Sequence, residues 1–198
     1  PVKDTKGNIH SLQYINKDGT KLFLKGGVKT GNFFLLGKNK VEDSRKIFIA
    51  EGFATAASVH LATKHPVALC FDSGNIDQTL QNLKEKYPNK SFVVVGDDDK
   101  YTYIKGKQVN NGMDKAVAAA EKHGVSVIFP EFKNKDIDKF KQQDAKGKGP
   151  TDFNDLHKLE GIKSVQTQLL NENNHRNSIH NNIPKHHETQ HYSNQIQH

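Results

Sequence analysis

Three consecutive carboxylates, Asp97, Asp98 and Asp99, follow directly on the apolar run Phe92-Val93-Val94-Val95-Gly96. Such a run, rich in β-branched residues and closed by glycine, reads as a buried strand. Carboxylates crowded at its end repel one another unless a cation sits among them. Open α/β sheets bind their ligands outside the carboxyl ends of the strands. Hard oxygen donors in that place suit Mg²⁺ or Mn²⁺, and Mg²⁺ takes one or two carboxylates while keeping several waters. A second strand pattern, Lys46-Ile47-Phe48-Ile49-Ala50, stops in the same way at Glu51-Gly52. Two such ends in one sheet can face a shared site. Each cluster alone has an ordinary alternative, as a helix cap or a solvated turn. In an extended segment alternate side chains point the same way. Asp97 and Asp99 are therefore expected to share one side, with Asp98 turned away toward Lys100 or solvent.

The elements that must position these groups are legible from periodicity. Residues 46 to 130 read as alternating strand and helix. A strand over 46–50 leads into an Ala-rich helix over about 53–63, and a strand over 67–71 ends at Asp72-Ser73-Gly74-Asn75. Ile76, Leu80, Leu83 and Tyr87 then form an apolar stripe at helical spacing, closed by Pro88. The strand 92–95 carries the Asp cluster. A polar loop precedes a helix over about 113–123 with Gly124 as its C-cap. A strand over 125–129 follows. Interleaving of this kind implies βαβ units and a mostly parallel sheet flanked by helices, an α/β fold.

Outside that core the pattern changes. Residues 1–40 look β-rich, with a hairpin formed by 11–15 and 21–24 around the turn Asn16-Lys17-Asp18-Gly19. This segment could pack on the main sheet or prepare a nucleic-acid groove. Residues 131–150 read as a Lys-rich connection, followed by a short helix begun at Thr151-Asp152-Phe153-Asn154-Asp155-Leu156 and closed by Gly161, and a last helix over 163–170. From Asn171 the chain is mainly Asn, Gln and His, too polar to offset the entropy of ordering, and is expected to be a disordered tail. The expected division is thus 1–40, 41–170 and 171–198.

Composition narrows the function. Lys and Arg outnumber Asp and Glu by 29 to 22, a formal charge of +7 that suits a polyanionic partner. Lys100, Lys105 and Lys107 after the Asp cluster, with Lys146 and Lys148 before Asp152, are the expected phosphate contacts. The single cysteine, Cys70, lies in an apolar run and excludes both an intrachain disulfide and a zinc-binding module within the chain. A cytoplasmic setting is expected, and no apolar stretch approaches the roughly 20 residues that span a bilayer. The chain opens at Pro1 without methionine, and we expect a segment of a larger enzyme.

At Glu51-Gly52 and Asp97-x-Asp99 the sequence resembles the Toprim family, the catalytic domain shared by bacterial primases, topoisomerases and some nucleases. Four ordered motifs extend the likeness to the Toprim domains of phage and plasmid primases, which also occur inside mobilisation relaxases and primase–helicase fusions. They are Ile49-Ala50-Glu51-Gly52-Phe53-Ala54-Thr55-Ala56, Phe71-Asp72-Ser73-Gly74-Asn75, Gly96-Asp97-Asp98-Asp99, and Gly149-Pro150-Thr151-Asp152-Phe153-Asn154-Asp155-Leu156. Asp18-Gly19-Thr20-Lys21-Leu22-Phe23-Leu24-Lys25-Gly26-Gly27 resembles the segment that precedes Toprim in the same proteins. The likeness covers about residues 5–160. It departs from replicative bacterial primases at Thr55, where they place a carboxylate.

The resemblance implies nucleotidyl transfer or phosphodiester hydrolysis with Mg²⁺ or Mn²⁺. Asp97 and Asp99 would hold metal, and Glu51 would be a general base toward a 3′-hydroxyl or a further ligand, its pKa raised by its neighbours. Asp152 and Asp155 resemble a further acidic motif, with capping of the short helix as the alternative. Asp72 and Asn75 could line the site or merely make the turn. The leading expectation is a mobile-element DNA primase acting on single-stranded DNA template and nucleoside triphosphates, with a helicase or relaxase domain in the same parent chain. The rivals are a Toprim nuclease and a non-catalytic nucleic-acid-binding module of a relaxase. A phosphoacceptor receiver domain fits less well, because the strand over 125–129 ends in Pro130-Glu131 and not in lysine.

Overall fold

The computed structural model describes residues 1–100, 103–104, 107–108, 110–143 and 149–171. The chain begins with β1 (Val2–Lys3) paired to β2 (Ile9–Ser11), then β3 (Gln13–Ile15) paired to β4 (Lys21–Phe23), both pairs antiparallel. The expected hairpin is therefore present, with its first strand divided. Ser11 pairs back to Val2, and only Gln13 to Ile15 face β4. Next come β5 (Phe34–Leu36), β6 (Lys46–Ala50), α1 (Phe53–Thr63), β7 (Val67–Leu69), α2 (Ile76–Lys86) and β8 (Ser91–Val95). A small ribbon, β9 (Tyr103–Ile104) with β10 (Lys107–Gln108), precedes α3 (Asn111–His123) and β11 (Ser126–Ile128). Three helices close the described chain: α4 (Asn134–Gln143), α5 (Phe153–Glu160) and α6 (Ile162–Leu170).

The central sheet has the order β11-β8-β6-β7-β5. Its four inner pairings divide into three parallel ones, β11 with β8, β8 with β6 and β6 with β7, and one antiparallel edge, β5 on β7. The mostly parallel α/β architecture is as the sequence implies. The strands are buried on both faces, which is why they read as unbroken apolar runs. The period of two sorts their side chains. Phe48, Ala50, Val93 and Val95 pack on one face with Ala56, Val59, Leu156, Val165 and Leu169 from α1, α5 and α6. Ile47, Ile49, Phe92 and Val94 pack on the other with Leu80, Leu83, Ala116 and Ala120 from α2 and α3. Each fully buried aliphatic side chain contributes roughly 1.5–3 kcal/mol, so the two cores account for the rigidity of the strand ends.

Two differences from the sequence reading have physical causes. Residues 131–150 are not all connection, since α4 occupies Asn134–Gln143. Its apolar content is little more than Ile137 and Phe140, one turn apart, too short a stripe to register as periodic among so many lysines. The second concerns the N-terminal segment, for which the sequence left two placements open. Here β5 joins the central sheet, Val2 is fully buried in the α1-side core, and Phe33 is buried on the α2 side. The expected tail beyond residue 171 lies outside the described residues. No described helix is long and apolar enough to cross a membrane.

One side chain fastens the N-terminal segment to the sheet. Asn75, buried between the β7 turn and α2, accepts from the Gly31 backbone N–H at 2.6 Å. Its amide nitrogen donates to the carbonyls of Asn32 and Cys70 at 2.9 Å and lies 3.1 Å from that of Lys29. Asn75 is thus a bracket for the fold and does not line the site. Asn75→Ala should leave several buried backbone groups unpaired and destabilise the chain by about 3 kcal/mol, read as a melting temperature lower by roughly 9 °C. A change under 2 °C would show that the bracket is redundant.

Candidate functional site

The acidic groups converge at the carboxyl ends of the parallel strands, the place where such sheets bind ligands. Glu51 follows β6 directly and Gly52 is the N-cap of α1, so the carboxylate stands before a helix N-terminus. Asp97 and Asp99 follow β8 and Gly96. Gly96 is needed there, since a Cβ would stand 2.3 Å from the Phe129 ring. Asp72 follows β7, after Phe71, whose φ of 74° is unusual for a residue with a bulky side chain. Strain of that kind concentrates at functional sites.

Electrostatics place the carboxylates in one field. Burial pushes the Asp97 carboxyl up to about 8, with Asp152, Glu51 and Asp99 adding repulsion and Lys21 opposing it. Burial also raises Glu51, assisted by Asp99 and Asp72 and opposed by Lys21 and the Ser73 backbone N–H. Asp97 Oδ1 is buried without a hydrogen-bond partner among the described residues. A buried, unpaired carboxylate oxygen beside other carboxylates is a costly arrangement that a bound cation would relieve.

Asp98 has polar partners of its own. It is buried and accepts from Lys100 Nζ at 2.7 Å and from the Asn110 side-chain amide at 2.8 Å. Asn110 also accepts from the Asp99 backbone N–H at 2.8 Å, so one side chain fixes two successive residues of the acidic turn. Gly112, in the first turn of α3, sits close under that turn. A Cβ there would be 3.2 Å from Asp99 Oδ2 and 3.3 Å from the Asp97 carbonyl oxygen.

Asp152 serves two roles at once. One oxygen caps α5 by accepting from the Asp155 backbone N–H at 2.8 Å. The other accepts from Thr55 Oγ1 at 2.8 Å. Thr55 thus supplies a donor at the position where replicative primases have a carboxylate. Asp155 stands further back. It accepts from the Thr151 backbone N–H at 3.1 Å, has Lys158 3.7 Å away, and is raised mainly by burial and then by Asp152. The structure therefore brings Glu51, Asp97, Asp99 and Asp152 into one electrostatic neighbourhood and sets Asp155 behind Asp152. Of the lysines named from sequence, Lys100 pairs with Asp98. Lys105, Lys146, Lys148 and the side chain of Lys107 lie outside the described residues.

Sequence reading missed the N-terminal cations and the fastenings. Lys21 on β4 acts on both Glu51 and Asp97, and Lys29 forms an ion pair with Asp72 while lying 5.1 Å over the Phe23 ring. Asn110 carried a signal, as an Asn directly before a helix. Lys21 carried none, because a strand lysine has no pattern that marks its target.

Among the described residues no group of three or more His, Cys, Asp or Glu side chains forms a ready-made metal cage. Mg²⁺ does not require one, since it uses one or two carboxylates and keeps its waters. The hard oxygen donors present, with the unpaired Asp97 oxygen, fit such an ion.

The raised Asp97 pKa has a consequence with a definite sign. Between the ordinary carboxyl value of 3.8 and about 8 the folded chain holds a proton that the unfolded chain has released. Stability of the chelator-treated chain should therefore fall as pH rises across that window. Glu51 and Asp155 shift in the same direction. Asp97→Asn removes the largest contribution. Its melting temperature in chelator should exceed the parent's by about 4 °C at pH 8 and match it near pH 4.5. Parallel pH profiles for the two proteins would contradict the burial of an unneutralised carboxyl.

Comparison with known proteins agrees with the geometry. The Toprim domain family matches residues 46–163. Two curated relatives from Escherichia coli, each named DNA primase TraC, are similar over 133 residues, one 40% and the other 38% identical. Each match takes in 67% of this chain but only 12% and 9% of those proteins, so the chain spans a small part of either relative's length. The family match begins at the first residue of β6, ends in α6, and contains Glu51, Asp97, Asp99, Asp152 and Asp155. With more than half of the chain matched, the resemblance read from its motifs is borne out, and this chain belongs to the Toprim family.

Proposed function

We propose that the chain is the catalytic region of a DNA primase, joining nucleotides on single-stranded DNA as part of a larger cytoplasmic enzyme. The observation that carries this reading is the buried, unpaired Asp97 oxygen amid Glu51, Asp99 and Asp152. Similarity to two proteins named as DNA primases supports nucleotidyl transfer among the activities of the Toprim family. A binding module with no chemistry would gain nothing from such a group, since unneutralised carboxylates weaken its hold on a polyanion.

Asp97 and Asp99 would hold Mg²⁺ or Mn²⁺, with Asp152 near enough to add charge. When bound, the metal supplies charge neutralisation at phosphate oxygens and a clamp on the attacking and leaving oxygens. Burial, then Asp99, raise the Glu51 carboxylate's proton affinity above its ordinary value, which suits the ionised group to accept a proton from the attacking hydroxyl. Asn110 and Thr55 keep the carboxylates in place, the first through the Asp98–Asp99 turn and the second through Asp152. The division into a β-rich segment over 1–40, a catalytic unit over 41–170 and a polar tail over 171–198 is part of this proposal, with β5 bonded into the sheet of the catalytic unit.

Asp97→Asn with Asp99→Asn should weaken Mn²⁺ binding by at least tenfold in calorimetry, whereas Asp98→Asn should change it little. Parent-like binding by the double variant would remove these residues from the metal site. Glu51→Gln should keep the circular dichroism spectrum and abolish metal-dependent nucleotide incorporation by the parent protein on single-stranded DNA. Full incorporation by that variant would refute the proton-accepting role. Shortening of the template in the absence of nucleotides would favour a nuclease.

A further inference from the structure

The β3–β4 hairpin lies outside the central sheet, yet it sends a cation into the acidic site. Lys21 is the first residue of β4. Its Nζ reaches the turn between β6 and α1, 3.6 Å from where a Cβ on Gly52 would stand. It is within electrostatic reach of Glu51 and Asp97, two carboxylates that follow different strands. Lys29 and Lys100 are each drawn into an ion pair, with Asp72 and Asp98. Among the described residues the Lys21 ammonium forms no ion pair or hydrogen bond of contact length, while its backbone belongs to the β3–β4 ladder.

The position of Lys21 is not loose. Phe23, two residues on and so on the same face of β4, packs edge-on against Phe71 with ring centroids 5.8 Å apart. That contact ties the hairpin to the end of β7, next to Asp72. The strand that presents Lys21 is thereby fixed to the site, while the ammonium at its end is not committed to any one carboxylate.

Building on the primase reading above, we propose that Lys21 is a phosphate-binding residue of this site, contacting a phosphate of the reacting nucleotide or of the nucleic-acid strand. Carboxylates alone repel phosphate. Once Asp97 and Asp99 are neutralised by divalent cations, the attraction that holds the ammonium toward them is lost, and a phosphate oxygen becomes its best partner. Lysine suits this task as a compact charge on a flexible stem with three donors. The plainer role, a counter-ion that only offsets repulsion among the acids, predicts a loss of stability without any loss of phosphate affinity.

The test uses the 198-residue chain with Lys21→Met and Lys21→Arg, in Ca²⁺ so that no turnover occurs. Three quantities are measured: the dissociation constant for a nucleoside triphosphate, that for a fluorescent single-stranded oligonucleotide at several salt concentrations, and Mn²⁺ affinity by electron paramagnetic resonance. Lys21→Met should weaken at least one phosphate ligand about tenfold, equivalent to about 1.4 kcal/mol, with Lys21→Arg restoring most of the loss. Mn²⁺ affinity should stay within about twofold of the parent's or rise, because a competing cation is gone. Weakening confined to the triphosphate identifies the incoming nucleotide as the source of the phosphate. Weakening of the oligonucleotide, with a salt slope reduced by about 0.7, identifies the strand. Parent-like affinity of Lys21→Met for both ligands overturns the proposal while leaving the primase reading intact. A parent protein that binds neither ligand overturns both.

Discussion

Repulsion among carboxylates held at the ends of parallel strands governs the arrangement of this molecule. Glu51, Asp97, Asp99 and Asp152 come from three separate stretches of chain and act on one another through a partly buried, weakly screened space. Left to itself such a group would drive its members into water. The backbones of Glu51, Asp97 and Asp99 are held in place, because β6 and β8 are paired along five residues each and covered on both faces. The sheet thus holds the charges together against their own field. The smaller fastenings, Thr55 on Asp152 and Asn110 on Asp98 and Asp99, act where the sheet's own hydrogen bonds have stopped.

Much of this was legible in the sequence because the relevant signals are short and local. Apolar runs closed by an acid and a glycine mark the ends of β6 and β8, and the pairing of Asp98 with Lys100 joins near neighbours in the chain. The capping role of Asp152 also follows from its place before Phe153. Contacts made across long stretches of chain were not legible. Thr55 and Asp152 are 97 positions apart, and Asn75 reaches back 44 positions to Gly31. Nothing local to Lys21 announces that its hairpin folds back over the β6–α1 turn. The helix α4 escaped for the opposite reason, having too few apolar positions to produce a period.

The N-terminal segment is best understood as part of the site's wall. Its β5 strand extends the sheet by one antiparallel member, its Phe23 rests on Phe71, and its lysines supply positive charge to a rim otherwise made of acids. The +7 charge of the chain is thereby given a local meaning. Lys21, Lys29 and Lys100 stand beside the carboxylates, so part of that positive charge lies at the acidic strand ends. The exposed side chains of Tyr14, Leu22 and Leu24 lie on the same small hairpin unit and mark its outer surface as partly apolar.

The bracket made by Asn75 also orders events in time. Every partner it binds on the N-terminal side lies more than 40 positions earlier in the chain. During vectorial synthesis, at about 5–20 residues per second, the β3–β4 hairpin emerges seconds before the turn that will receive it. The strand β5 likewise waits for β7, with which it pairs in the sheet. Residues 1–36, though made before the central sheet, therefore cannot complete their pairing until residues 67–75 have followed them.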